Sequence, residues 1–171
     1  MRRRGNSTLE FTLVGIPLIF TLISIFEMAR GMWVYHTMAH AIKEGTRYTI
    51  VHGSDCDPIK NAPNNCLVKI QDIAQHIKDA GVGLEQDQLV VTFWSVSNGT
   101  HTCANPSTLT ACLADSAVWP PSPDNIPGLP IRIDAKLTFK SAIAMFWPGT
   151  TKGMNFGTLY FPATSQETIQ F

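Results

Sequence analysis

Arg2-Arg3-Arg4-Gly5-Asn6-Ser7-Thr8-Leu9-Glu10 runs directly into Phe11-Thr12-Leu13-Val14-Gly15-Ile16-Pro17-Leu18-Ile19-Phe20-Thr21-Leu22-Ile23-Ser24-Ile25-Phe26, and no charge falls between Glu10 and Glu27. As a helix at about 1.5 Å per residue, the uncharged run rises roughly 24 Å, a little less than a hydrocarbon core of about 30 Å. Leu9 extends it on one side and Met28, Ala29, Met32, Trp33 and Tyr35 on the other, where the amphipathic rings of Trp33 and Tyr35 suit the headgroup level. The stretch therefore reads as a membrane-spanning helix at about residues 9–33. Residues 1–5 form a basic leader held in the cytoplasm, and the chain beyond about residue 30 is extracytoplasmic. A cleaved secretory signal uses the same parts, but Glu27-Met28-Ala29-Arg30-Gly31-Met32-Trp33-Val34-Tyr35 is bulky and charged where its peptidase needs small residues.

The helical pattern does not stop at the membrane. Val34, Met38, Ala41, Gly45 and Tyr48 recur at alternating steps of four and three, and His36, His40, Lys43 and Arg47 form a second, polar stripe with the same rhythm. One N-terminal helix over residues 6–53 is expected, from about Ser7 to about Val51, with Gly53 as its terminator. Pro17 removes one backbone bond inside it, so a kink or local melting is expected there.

Gly5 to Gly53 resembles the N-terminal region of TadE-like proteins, the pseudopilins of the tight-adherence (Flp-type) branch of type IV pilus systems. The resemblance is carried by Leu9-Glu10-Phe11, the proline-interrupted apolar run, Glu27-Met28-Ala29-Arg30 and Ala41-Ile42-Lys43-Glu44-Gly45-Thr46-Arg47-Tyr48. It implies cutting by a prepilin peptidase on the cytoplasmic side, after Gly5, leaving Asn6 as the new N-terminus and Glu10 as the fifth residue of the mature chain. Asn6 is polar where major pilins start on an apolar residue. The partners implied are membrane lipid, other pilin-like subunits and the pilus assembly machinery, in the inner membrane of a bacterium.

The chemistry of Glu10 agrees with that resemblance. A carboxylate near a low-dielectric interior is disfavoured unless a cation neutralises it, and the α-amino group freed by cleavage on an adjacent subunit is a suitable one. The alternative is a carboxylate solvated at headgroup depth.

Residues 54–171 suffice for one compact domain. The chain has 13 basic and 13 acidic residues, and without Arg2, Arg3 and Arg4 it has 10 against 13, which argues against a nucleic-acid binder. Cys56, Cys66, Cys103 and Cys112 all fall on the outer side, where an even count favours two disulfides. Pairing Cys56 with Cys66 and Cys103 with Cys112 closes two short polar loops with little packing of their own. No C-x-x-C pair supports zinc or thiol exchange, and neither metal nor cofactor is expected.

A helix is expected from about Asn65 to Ala80, capped by Asn64 or Asn65, with Ile70, Ile73, Ala74 and Ile77 on one face. Leu89 to Val96 reads as a strand and Asn98-Gly99 as a turn, whereas Cys112 to Leu129 is loop-like, with Trp119-Pro120-Pro121-Ser122-Pro123 too rich in proline for a sheet. Ile131 to Lys140 alternates almost completely, placing Ile131, Ile133, Ala135, Leu137 and Phe139 on one face. After a short apolar segment, Ala142 to Trp147, and the Pro148-Gly149 turn, strands are expected at Phe156–Phe161 and Ser165–Phe171. The architecture is α+β and pilin-like: a long transmembrane helix continues into an amphipathic helix packed on an antiparallel sheet.

Catalytic constellations are weak. His36 and His40 lie one turn apart without an intervening glutamate and read as a solvated helix face; Gly81 and Gly83 lack a phosphate-binding context. Asn98-Gly99-Thr100 spells a sequon that matters only in a eukaryotic secretory route. Glu27 and Arg30 read as a local ion pair. The chain is read as a non-enzyme that assembles a fibre. The alternatives are a tip-located minor pilin, with Trp119 and Trp147 as binding platforms, although such tryptophans are more often core plugs, or an uncleaved single-pass anchor of an envelope complex.

Overall fold

From Asn6 the backbone is helical to Ile50 without interruption (α1). The computed structural model describes residues 6–54, 67–141 and 158–170. The chain divides into two units, residues 1–33 with 139–159 and residues 34–138 with 160–171. The helix passes through Pro17 without melting. Thr21 Oγ1 donates to the Pro17 carbonyl at 2.9 Å, one of several hydroxyls that satisfy backbone oxygens locally.

The larger unit holds the core. Met38, Ala41, Ile42, Thr46, Thr49 and Ile50 of α1 are buried, while His36, His40, Lys43 and Arg47 are exposed, so the two stripes read from the sequence face inward and outward. Across from α1 lies α2, Ile70–Ala80, with Ile70, Ile73, Ala74 and Ile77 buried. The two helices meet at Gly45, where a methyl group would stand 2.5 Å from Ile77 Cγ1 and 3.5 Å from Ile73 Cγ2. A side chain here would force Ile77 or the helices themselves to shift.

The helix α2 begins at Ile70, five residues after the expected Asn65, and Asn64 and Asn65 lie outside the described residues. Lys69 is extended (φ −94°, ψ 151°) because it bridges Val118, and the Ile70 N–H donates to Ala117 O at 2.9 Å. That pairing takes Val68 and Lys69 out of the helix.

Four strands follow in the order β2-β1-β3-β4: β1 Leu89–Ser95, β2 Gly99–Thr102, β3 Pro130–Lys140 and β4 Thr158–Thr168. β1 runs antiparallel to both neighbours, with Phe93 opposite His101 and Ile133. Phe93, Ile131, Ile133, Ala135, Leu137 and Phe139 are buried, as the alternation of β3 requires. The fold is α+β, a long apolar helix followed by an antiparallel sheet.

The chain's last segment departs from its sequence reading. The two strands expected at Phe156–Phe161 and Ser165–Phe171 are one strand, β4, and Phe156 and Phe171 lie outside the described residues. Pro162 sits inside it, which an edge strand tolerates because its missing N–H interrupts no inner ladder. Beyond β4, the Gln170 N–H donates to Ile50 O at 2.9 Å, occupying a carbonyl at the end of α1 that has no partner within the helix.

The Cys103 to Cys112 segment is better packed than a plain surface loop. It contains a short helix, α3, Leu109–Cys112, with Leu109 and Cys112 buried and Thr108 as its cap. Ser107 Oγ donates to Val91 O at 2.6 Å and Val91 N–H donates to Ser107 O at 2.8 Å, tying the segment to β1. Trp119 is 2 % exposed and tilts against Phe93 with ring centroids 5.2 Å apart. It is a core plug, the reading favoured over a binding platform from the sequence; Trp147 and the rest of the Ala142 to Trp147 segment lie outside the described residues.

Candidate membrane-anchoring and assembly surface

The first half of α1 carries an apolar surface that is exposed among the described residues. Phe11 is 78 % exposed and Phe26 73 %, and Leu9, Leu13, Val14, Ile16, Leu18, Ile19, Phe20, Leu22, Ile25, Met28 and Met32 are exposed as well. Soluble monomers rarely present so much contiguous apolar area. The polar side chains in this stretch turn back on their own helix: Thr12 Oγ1 donates to Thr8 O and Leu9 O, both at 3.0 Å, and Ser24 Oγ donates to Phe20 O at 2.8 Å. With its hydroxyls internally satisfied, the helix can offer hydrocarbon to lipid at little polar cost. Its length and composition are compatible with a single-pass membrane anchor.

The residues singled out in the sequence fall as follows. Gly5 lies outside the described residues, and Asn6 opens α1. Glu10 is exposed in the early turns of the helix, amid Leu9, Phe11, Leu13 and Val14. Cys56 and Cys66 lie outside the described residues. Cys103 and Cys112 are joined in a disulfide with Cα atoms 5.0 Å apart.

At the far end of the apolar band, Arg30 Nη2 lies 3.2 Å from Glu27 Oε2, the pair expected from their spacing. The same nitrogen donates to Lys140 O at 2.6 Å, and the guanidinium carbon stands 4.4 Å from the centre of the Phe139 ring. Arg30 thus clasps the last two residues of β3. Sequence reasoning missed this, because 110 residues separate the partners.

Three further electrostatic features were not legible. Asp124 is buried, and both its oxygens accept from Ser97 N–H, at 3.0 and 2.9 Å, while Oδ2 also accepts from the Asn98 N–H and Asn98 Nδ2, each at 3.0 Å. Burial alone would push its carboxyl up, but the converging donors outweigh burial and hold it far below the usual carboxylate range. Asp124 thereby fixes the turn between β1 and β2, and the amide of the Asn98 sequon is engaged. Asp115 behaves alike: burial raises its carboxyl, yet Ala117 N–H at 2.9 Å and His101 Nε2 at 3.0 Å bring it below its ordinary value. On the inner half of α1, Tyr48 stacks on His76 at 3.9 Å and tilts against His52 at 4.5 Å; burial, with Asp72 nearby, pushes its phenol up.

Residues 5–47 match the model of the family described as TadE-like protein. The match spans the apolar band, Glu10, the Glu27 and Arg30 pair and Gly45. No curated protein and no solved structure matches the chain.

Proposed function

We propose that this chain is a membrane-anchored pseudopilin or minor pilin that acts in assembling a tight-adherence type IV pilus, without enzymatic activity. It crosses the bacterial inner membrane once, its N-terminus cytoplasmic and its disulfide-bearing α+β domain outside. A prepilin peptidase cuts after Gly5, and Glu10 then pairs with the new α-amino group of a neighbouring pilin-like subunit. The observation that carries this reading is the coincidence of the TadE-like match over residues 5–47 with a helix whose apolar half is exposed among the described residues and so suited to lipid or to like helices. Such helices associate by van der Waals packing and by polar groups that find partners inside the bundle.

Intact mass or N-terminal sequencing of the membrane-extracted protein tests it. A start at Asn6 is expected; a start at Met1 leaves an ordinary anchor, and one beyond residue 26 makes the helix a discarded signal. Glu10→Ala is expected to insert and be cleaved normally yet fail to co-purify with other pilin-like subunits. Normal co-purification would remove the assigned role of Glu10.

A further inference from the structure

We propose that Asn98-Gly99 is a deamidation site that the fold keeps shut, with the Asp124 carboxylate as its latch. Asparagine before glycine is open to this chemistry because no side chain on the following residue hinders its nitrogen. The Gly99 nitrogen gives up its proton and attacks Asn98 Cγ, the bond from Cγ to Nδ2 breaks, and Nδ2 takes up a proton and leaves as ammonia. Water then opens the five-membered imide at either carbonyl, giving aspartate or isoaspartate. The surroundings supply what the reaction needs: Asn98 is exposed to water, and a methyl group on Gly99 would meet no described atom within 4 Å.

The geometry withholds the approach. Asp124 Oδ2 accepts from the Ser97 N–H at 2.9 Å and from both the N–H and Nδ2 of Asn98 at 3.0 Å, so the side chain is drawn back towards its own N–H. Cγ has to turn from there towards the Gly99 nitrogen, and rotation about Cα–Cβ releases Nδ2 from Asp124. Rotation about Cα–C is resisted as well, by the N–H bonds of Ser97 and Asn98 on one side and by the pairing of Gly99 with Ser95 on the other. Reacting atoms need to come within about 3–3.5 Å in alignment, and a misplacement of about 1 Å can cost about a hundredfold in rate. Asp124 is buried, and its donors keep it ionised, so it stays an acceptor at neutral and mildly alkaline pH and is a poor base for the Gly99 proton. The group facing it is therefore the NH2 end of the Asn98 amide. Conversion to aspartate would set a second carboxylate in place of that donor, against a buried one.

The test incubates the full-length, detergent-solubilised chain at mildly alkaline pH and counts aspartate and isoaspartate at position 98 by peptide mapping. Asp124→Ala is expected to raise the rate at least about tenfold. Trp119→Ala, which weakens the fold at the Phe93 contact instead, should leave the rate near that of wild type. An unchanged rate in Asp124→Ala would overturn the proposal, and so would a slower one, which would make Asp124 the base. Equal acceleration by Trp119→Ala would overturn it by assigning the protection to global stability. Hydrogen exchange of the Asn98 side-chain amide in the wild-type chain tests the latch without any substitution. Exchange slower than that of free asparagine is expected, and exchange at the free rate would remove the latch.

Discussion

Replacing Gly45 by alanine probes the closest approach in the core. The added methyl would stand 2.5 Å from Ile77 Cγ1, 3.0 Å from Ile77 Cδ1 and 3.5 Å from Ile73 Cγ2, on helices whose facing residues are fully buried. The first distance lies well inside van der Waals contact, so α1 and α2 must separate or Ile77 must leave its rotamer. Overpacking of this kind costs about 1–3 kcal/mol. Alanine in a helix interior returns about 1 kcal/mol relative to glycine, so the net expectation is a loss of up to about 2 kcal/mol. Urea unfolding of the detergent-solubilised full-length chain, followed by far-UV circular dichroism, reads the loss as a lower midpoint at unchanged slope. Ile77→Ala alone should cost about 2–5 kcal/mol. Combined with Gly45→Ala it should cost at least about 1 kcal/mol less than the sum, because the new methyl enters the vacated volume. A Gly45→Ala protein stabilised by its full propensity gain, and additive with Ile77→Ala, would refute the close packing of α1 on α2 at this glycine.

Asp124→Asn should destabilise the outer fold by about 2–3 kcal/mol at neutral pH, since two backbone N–H groups lose a charged acceptor. The folded carboxyl is depressed, so the unfolded chain takes up its proton first on acidification, near pH 4. The stabilisation is complete above that value and is lost as pH falls towards the folded one. The variant should therefore show a shallower fall in urea midpoint between about pH 5 and 2, and a slope equal to wild type would contradict the assignment. Replacing Cys103 and Cys112 together by alanine releases a cross-link with a sequence separation of 9 and should cost about 2–3 kcal/mol by loop closure; an unchanged midpoint would show that packing of α3 alone holds the segment. Trp119→Ala should cost about 3–5 kcal/mol through the cavity it leaves against Phe93, and a near-neutral result would contradict its place in the core.

Periodicity carried the reading of α1, β1 and β3, because each repeats its apolar residues over enough turns or alternations to outweigh local exceptions. It placed Met38, Ala41 and Gly45 on the inner face of α1 and left Ile42, Thr46 and Thr49 unread, since burial covers a wider arc than a strict seam. It failed where the deciding partner lies far along the chain. The late start of α2 comes from the bridge between Lys69 and Val118, and β4 stays whole across Pro162 because it occupies a sheet edge.

The same division holds for the candidate site. The uncharged run between Glu10 and Glu27 determined by itself that this chain carries a helix suited to a bilayer, because transfer to hydrocarbon depends on the length and composition of one continuous segment. Only the tertiary structure decided that Arg30 clasps the end of β3, that Trp119 is a core residue and that Asp124 secures a turn 26 residues away. Those outcomes depend on which distant groups the closed fold brings within hydrogen-bonding or van der Waals reach, and no local pattern of residues encodes that distance.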